Sequence, residues 1–471
     1  MTFSRQASET RDPPKKLFGA LRYLGPGMVL AAGLVGSGEL IATTKTGAQA
    51  GISLIWIILL GCVIKVFVQI ELGRYTVSTN ETTLVALNRI PGPRLRGNWI
   101  IWLWLVMMAT TYGLLGGILG GVGQSLALIF PLTGDYVTAL QAPADATGLP
   151  PEMVASDPGI WAVLVAIFTA LLLFFGRYRI LETLCVGMVF CFTLVTVGNV
   201  FALQTTEYAI PATAILDGLF FGLPDRPEAW LTALAAFGII GVGGTDLIVY
   251  PYWCLERGYG RFIGPRGENS EWVRRAKGWL RVMRIDAFVS MAIYTLTTLA
   301  FYFIGAAVLH RDGADPDGMR MVSQLAGAYE PIFGTASRYL FLSGALAVLY
   351  SSFLVANAGA ARLFADCLGV LGVIEINEGA RKRAVGILSL ALPLLALLIF
   401  LTGWNPVRLI VIGGLVQSLV LPIIGFSALY LRFKILDPRL RPGPVWDAAL
   451  LLSCLSLLVV GLFSLTQIVA N

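Results

Sequence analysis

The chain has 471 residues, of which 56% are hydrophobic and only 13% charged. So little polar surface cannot cover a soluble fold of this size, which makes the chain an all-α polytopic membrane protein. Its formal net charge of +6 sits in loops, where basic residues set orientation, so nothing calls for a nucleic-acid partner.

Residues 1–20 are polar and basic, with Arg5, Arg11, Lys15 and Lys16. No apolar core followed by a cleavage site occurs there, so a cytoplasmic tail is expected and a signal peptide is not. About eleven apolar segments follow, over roughly 21–45, 50–73, 99–131, 158–176, 180–204, 228–255, 285–308, 339–361, 383–402, 407–431 and 445–469. Each has about the 17–25 apolar residues that a span requires. The loop at 132–157 carries Asp135, Asp145, Glu152 and Asp157 and no base, as an outer loop should. The segment 257–284 carries Arg257, Arg261, Arg266, Arg274, Arg275, Lys277, Arg281 and Arg284, as an inner one should. Strict alternation puts the N-terminus in the cytoplasm and the C-terminus outside, in the cell (inner) membrane.

The first and sixth spans are interrupted in nearly the same way. Gly33-Leu-Val-Gly36-Ser-Gly38-Glu39 in one matches Gly238-Ile-Ile-Gly241-Val-Gly243 in the other at a constant offset, and Thr245-Asp246 follows. Glycine clusters weaken a helix, and inside a bilayer the freed backbone must line a cavity or find protein partners. Paired interruptions in two halves point to the central site of a secondary transporter. Spans 1–5 (about 21–204) and 6–10 (about 228–431) then form two repeats, with an extra helix at about 445–469, in one transmembrane domain over 21–471. Five is odd, so the second repeat starts on the opposite face of the membrane, a five-plus-five inverted repeat with interrupted helices 1 and 6.

Candidate site residues follow from the interruptions. Glu39 and Asp246 are acids near the bilayer centre, which default to functional roles. Facing each other, with Ser37, Thr245 and unwound carbonyls, they would offer an all-oxygen cage for a hard dication, and Gly36, Gly241 and Gln417 are further candidates for the site. The competing reading is that each acid caps the half-helix after its break. Gln417, Tyr250 and Asn357 could line the cavity, but each fits better as an interhelical hydrogen-bonding group. Lys65, in span 2, could be a fixed charge near the pathway, but reads better as a structural cation that snorkels to the inner interface or pairs with a carboxylate. Gly113, Gly116, Gly117, Gly120 and Gly121 in span 3 form a close-packing face. The cysteines have no metal-ligand spacing, and His310 stands alone at the outer end of span 7. No Walker, H-E-x-x-H or G-x-S-x-G pattern occurs, so an enzyme is not expected, and neither is a cofactor.

The pattern also resembles a known family. Leu24-Gly-Pro-Gly27 opens the first span, Gly47-Ala-Gln-Ala-Gly-Ile-Ser-Leu-Ile-Trp56 leads into the second, Gly238-Ile-Ile-Gly241 opens the sixth-span break, and Leu421-Pro422 closes a stretch in the tenth. Together these resemble the Nramp divalent-metal transporters from about residue 20 to 460. The resemblance implies a five-plus-five inverted repeat and metal cation transport, possibly symport. Several ligand positions differ from the family pattern. The family's first-span Asp-Pro-Gly-Asn is here Gly36-Ser37-Gly38-Glu39, and its sixth-span Met-Pro-His is Thr245-Asp246-Leu247. Its third-span proton acids fall at Leu115 to Ile118, and its tenth-span Gln at Gly414, with Gln417 one turn on. The thioether ligand is therefore lost and oxygen gained, which implies a hard cation such as Mg2+. The alternative is a non-metal solute, organic or anionic, on the same scaffold. The expected partners are thus membrane lipid and a small inorganic cation or small solute.

Overall fold

A computed structural model of the chain describes residues 10–141, 156–176, 178–224, 226–317, 320–327, 336–375 and 377–470. Helices dominate; the β-structure among these residues is a two-residue antiparallel ladder pairing Arg94–Leu95 with Gly97–Asn98. The span helices run Pro26–Ala50 (span 1, with a π-helical middle), Ile55–Thr79, Trp99–Ile129, Asp157–Phe175 and Tyr178–Leu203. Span 6 is split into Glu228–Ile239 and Gly244–Glu256. Then come Ser270–Ile304, Ala336–Val370, Glu378–Phe400, Pro406–Tyr430 and Pro444–Ala470.

Several starts are fixed by the same device. Asn98, Asn269, Asn377 and Asn405 accept backbone amides of the first turn of spans 3, 7, 9 and 10, at 2.7–3.2 Å. A short polar side chain there satisfies donors that the helix itself cannot.

The contacts between spans exchange under a shift of five. Span 3 lies on span 10 as span 8 lies on span 5; span 1 lies on span 7 as span 6 lies on span 2; span 3 lies on span 4 as span 8 lies on span 9. That is the signature of a repeated five-helix unit. The apolar stretches of spans 4 and 9 are only 33% buried, against 89% for span 6. Spans 4 and 9, with Phe168, Phe174, Phe175, Ile387 and Leu398 exposed, are therefore the lipid-facing rim, and span 6 is the centre.

The span-3 glycines are the face on which spans 9 and 10 rest. A Cβ on Gly117 would lie 2.5 Å from the Pro406 carbonyl, and one on Gly120 would lie 2.7 Å from the Phe400 ring. Backbones approach this closely only where side chains are absent.

The two interruptions differ from their matched sequences in form. In span 1 the chain does not unwind: Val35–Thr43 is π-helical, and the flanking helices bend by 43°. In span 6 the helix stops at Ile239 and restarts at Gly244, with Gly241 at φ +66° between them. A positive φ is cheap only for glycine, so Gly241 sets where span 6 opens. Gly36 instead serves close approach. Its amide donates to Ser352 Oγ at 2.9 Å, and a Cβ there would stand 2.0 Å from that oxygen. A glycine cluster thus became a wide helical turn in one half and a gap in the other.

Candidate functional site

The second half of span 6 begins with Gly244-Thr245-Asp246, with Asp246 in its first turn. The Asp246 carboxylate faces the backbone amides of Gly243 and of Asp246 itself, the position of a residue that caps its own helix. It is also half-buried and lines a cavity between spans 1, 3, 6, 8 and 10, together with Thr111, Thr245, Ser352 and Gln417. Capping and cavity-lining coexist at this one side chain.

Gln417 completes this corner. Its Oε1 accepts the Thr245 backbone amide at 3.4 Å. Both Gln417 Oε1 and Asp246 Oδ2 come within 3 Å of the point that a Cβ on Gly243 would occupy, at 2.8 and 2.9 Å. Glycine at 243 therefore lets two oxygens from different spans converge. Gly414, one turn earlier, has no side chain to offer and instead rests against the Ala235 carbonyl.

Glu39 occupies a different compartment. It is fully buried, and its Oε2 accepts the Thr298 hydroxyl of span 7 at 2.5 Å. Its carboxylate also faces the Gly241 backbone amide at the span-6 break, but it is not among the residues lining the cavity that holds Asp246. Glu39 therefore meets the Thr298 hydroxyl and the span-6 break, while Asp246 lines the cavity. Glu39 lies within the π-helical turn of span 1, near Thr298 of span 7, Lys65 of span 2 and Gly241 of span 6. The Ser37 side chain lies outside the described residues.

Lys65 departs most from the sequence reading. It is fully buried and central, not snorkelled. Its ammonium donates to the Phe237 carbonyl and, at 2.8 Å, to the Ile240 carbonyl, and lies 4.6 Å from the centroid of the Phe237 ring. Those carbonyls end the first half of span 6, where the helix dipole is negative and its acceptors lack partners. Lys65 is also within electrostatic reach of both Glu39 and Asp246. Sequence alone hides this, because its partners are main-chain atoms freed by the break.

A second missed group is Met108. The family's sixth-span thioether is absent, yet span 3 brings a sulfur to the same corner: the Thr245 hydroxyl donates to Met108 Sδ at 3.8 Å. Thr111 Oγ1 stands 3.5 Å from Thr245 Oγ1. A methionine in an apolar span carries no sequence mark that distinguishes it from core filling.

The other candidates are tied into structure. The Tyr250 hydroxyl donates to Asp286 Oδ2 at 3.0 Å and to the Met283 carbonyl at 3.2 Å. Asn357 donates back to Phe353 within its own helix. Lys45 pairs with Asp315 at 2.6 Å, and Glu71 joins Arg74, Arg432 and Trp446 in a buried network. His310 Nδ1 lies 2.9 Å from the Ala48 carbonyl. Among the described residues no three His, Cys, Asp or Glu side chains converge as a metal-ligand cluster.

Comparison with known proteins identifies the scaffold. The profile of the family described as natural resistance-associated macrophage protein-like (Nramp) matches residues 27–462. A divalent metal cation transporter MntH from Caldanaerobacter subterraneus subsp. tengcongensis is 22% identical over 408 residues, covering 86% of this chain and 82% of that one. An MntH from Erwinia tasmaniensis is 23% identical over 433 residues, covering 91% and 90%. Among solved structures, a manganese transporter of Eremococcus coleocola superposes with a TM-score of 0.66 at 14% identity, covering 99% of this chain and 91% of that one. A transporter of the nucleobase-cation-symport-1 family superposes with a TM-score of 0.57 at 15% identity, covering 99% and 93%. The fold is therefore shared with carriers of unlike cargo. The extent of the profile match decides the family: this chain is a divergent member of the Nramp family of integral membrane transporters.

Proposed function

We propose that this protein is a secondary transporter of a divalent metal cation, working by alternating access around the break in span 6. The observation that carries the proposal is the half-buried Asp246 carboxylate, which converges with Gln417 on Gly243 at the edge of a cavity between five spans. An acid held at membrane depth beside a cavity is the arrangement that intramembrane ion pathways use. Its relatives' names, as divalent metal cation transporters, agree with that reading.

In this reading Asp246, Thr245 and Gln417 meet the cargo. Glu39 is the second acid, reached as span 1 moves, with Gly36, Ser37 and Gly241 shaping the path. The donor set is oxygen-rich, which favours a hard cation such as Mg2+. Met108 does not reverse this, because its sulfur already accepts the Thr245 hydroxyl, so the hydroxyl oxygen remains for the ion. The single transmembrane domain sits in the cell membrane with the N-terminus inside and the C-terminus outside, as the basic segments indicate. A coupling ion, if used, moves by symport.

The test is binding and flux by purified protein in sealed proteoliposomes across Mg2+, Mn2+, Ca2+ and Cd2+, with organic solutes and anions as competitors. Saturable dication flux is expected, unaffected by the solutes. Flux of an organic solute with no dication moving would replace the cation reading with the solute one.

A further inference from the structure

The first half of span 6 ends at Ile239, inside the bundle, with the Phe237 and Ile240 carbonyls freed at the break. Such an end attracts a cation: aligned peptide dipoles place roughly half a negative charge there, and the acceptors lack intrahelical partners. In this chain the position is already filled. Lys65, carried by span 2, reaches Phe237 O and Ile240 O with its ammonium and covers the Phe237 ring. Charge, two acceptors and an aromatic face all match an ammonium.

We propose that Lys65 is a tethered cation that takes the carbonyl end of the half-helix away from the cargo and thereby sets the charge selectivity of the central site. This rests on the transport reading above and deepens it. Without Lys65, an entering dication would meet Asp246 and the free carbonyls of Phe237 and Ile240. With Lys65, the Phe237 and Ile240 carbonyls are taken by its ammonium. The cargo is left with Asp246, Thr245 and Gln417 on the cavity side. The site thus binds a dication weakly enough to release it, and excludes ions that need more negative charge or more oxygen ligands.

Helix stabilisation alone would explain the same contacts, so the test separates charge from capping. Lys65→Gln keeps a neutral donor for one carbonyl, Lys65→Met keeps neither charge nor donor, and Lys65→Arg keeps the charge. Purified wild type and variants are titrated with Mn2+ and, separately, with Na+, while thermal unfolding reports folding.

Lys65→Gln and Lys65→Met are expected to bind Mn2+ at least about tenfold more tightly, from loss of a like charge at short range. Na+ should gain less, because the repulsion removed scales with cargo charge. Lys65→Arg should stay near wild type. Where Lys65→Met fails to fold, the Gln variant carries the test. An Mn2+ affinity within twofold of wild type, or weaker, in folded Lys65→Gln overturns the role of Lys65 and leaves cation transport standing. No dication binding by wild type or any variant overturns both.

Discussion

Asp286 of span 7 holds the start of span 1 through Gly27: its Oδ2 accepts the Gly27 amide at 2.6 Å, while its Oδ1 accepts the Gly25 amide at 3.0 Å. The Tyr250 hydroxyl, from the second half of span 6, joins the same carboxylate at 3.0 Å. One buried acid therefore caps span 1 from another helix and ties both interrupted spans to span 7. A Cβ on Gly27 would stand 2.8 Å from the carboxylate, which keeps this approach open only to glycine.

Asp286→Asn should therefore destabilise the protein by about 1–3 kcal/mol, because the amide turns a donor toward groups that are themselves donors. Thermal unfolding of purified protein reads the change. An unaltered midpoint would show that the carboxylate is dispensable for holding span 1. Flux should fall as well, since the span-1 start loses its registration against span 6.

A second expectation concerns pH, at a group outside the membrane. Asp437, in the turn between spans 10 and 11, is held at about pKa 2 by its hydrogen bonds with the Arg439 side chain, then by the Arg439 amide and the charges of Arg439 and Arg266. Its folded value lies below the unfolded value, so this contribution is present above about pH 4. It is lost as pH falls from there toward 2. Asp437→Asn should be less stable than wild type at neutral pH, and the difference should shrink across that window. A difference that stays constant with pH would place the stabilisation elsewhere.

Much of the architecture was legible in the sequence. Matched glycines at Gly33, Gly36 and Gly38 and at Gly238, Gly241 and Gly243 mark interruptions in spans 1 and 6, and an odd number of spans per repeat implies inversion. The form of each interruption was not legible. Glycine permits both a wide helical turn and a gap, and neighbouring spans decide between them. Asp246 and Gln417 converge on Gly243, a meeting that residue type alone does not specify. The contact of Glu39 with the Thr298 hydroxyl is not legible in the sequence, because a π-helical turn changes which face a residue presents. Lys65 was read as peripheral because its partners, Phe237 O and Ile240 O, are main-chain atoms that every sequence possesses. Met108 carries no sequence mark that separates it from core filling; only the fold puts it beside Thr245.

The acids themselves make a third prediction. Glu39→Gln keeps an acceptor for the Thr298 hydroxyl, and Asp246→Asn keeps an oxygen for the amides at Gly243 and Asp246, so both should fold with midpoints close to wild type. Cation flux should nevertheless drop at least about tenfold in each, since an amide cannot neutralise a dication. Variants that transport normally would confine both residues to holding the helices.

The most direct measurement of the central claim is Mn2+ uptake into proteoliposomes containing wild type or Asp246→Asn, with and without millimolar Mg2+. The account predicts saturable Mn2+ uptake by wild type, strong suppression by Mg2+, and loss of uptake in Asp246→Asn. Mn2+ uptake that is undiminished by Mg2+ would contradict the oxygen-based selectivity. Uptake that persists in Asp246→Asn, or is absent from wild type, would contradict the site itself.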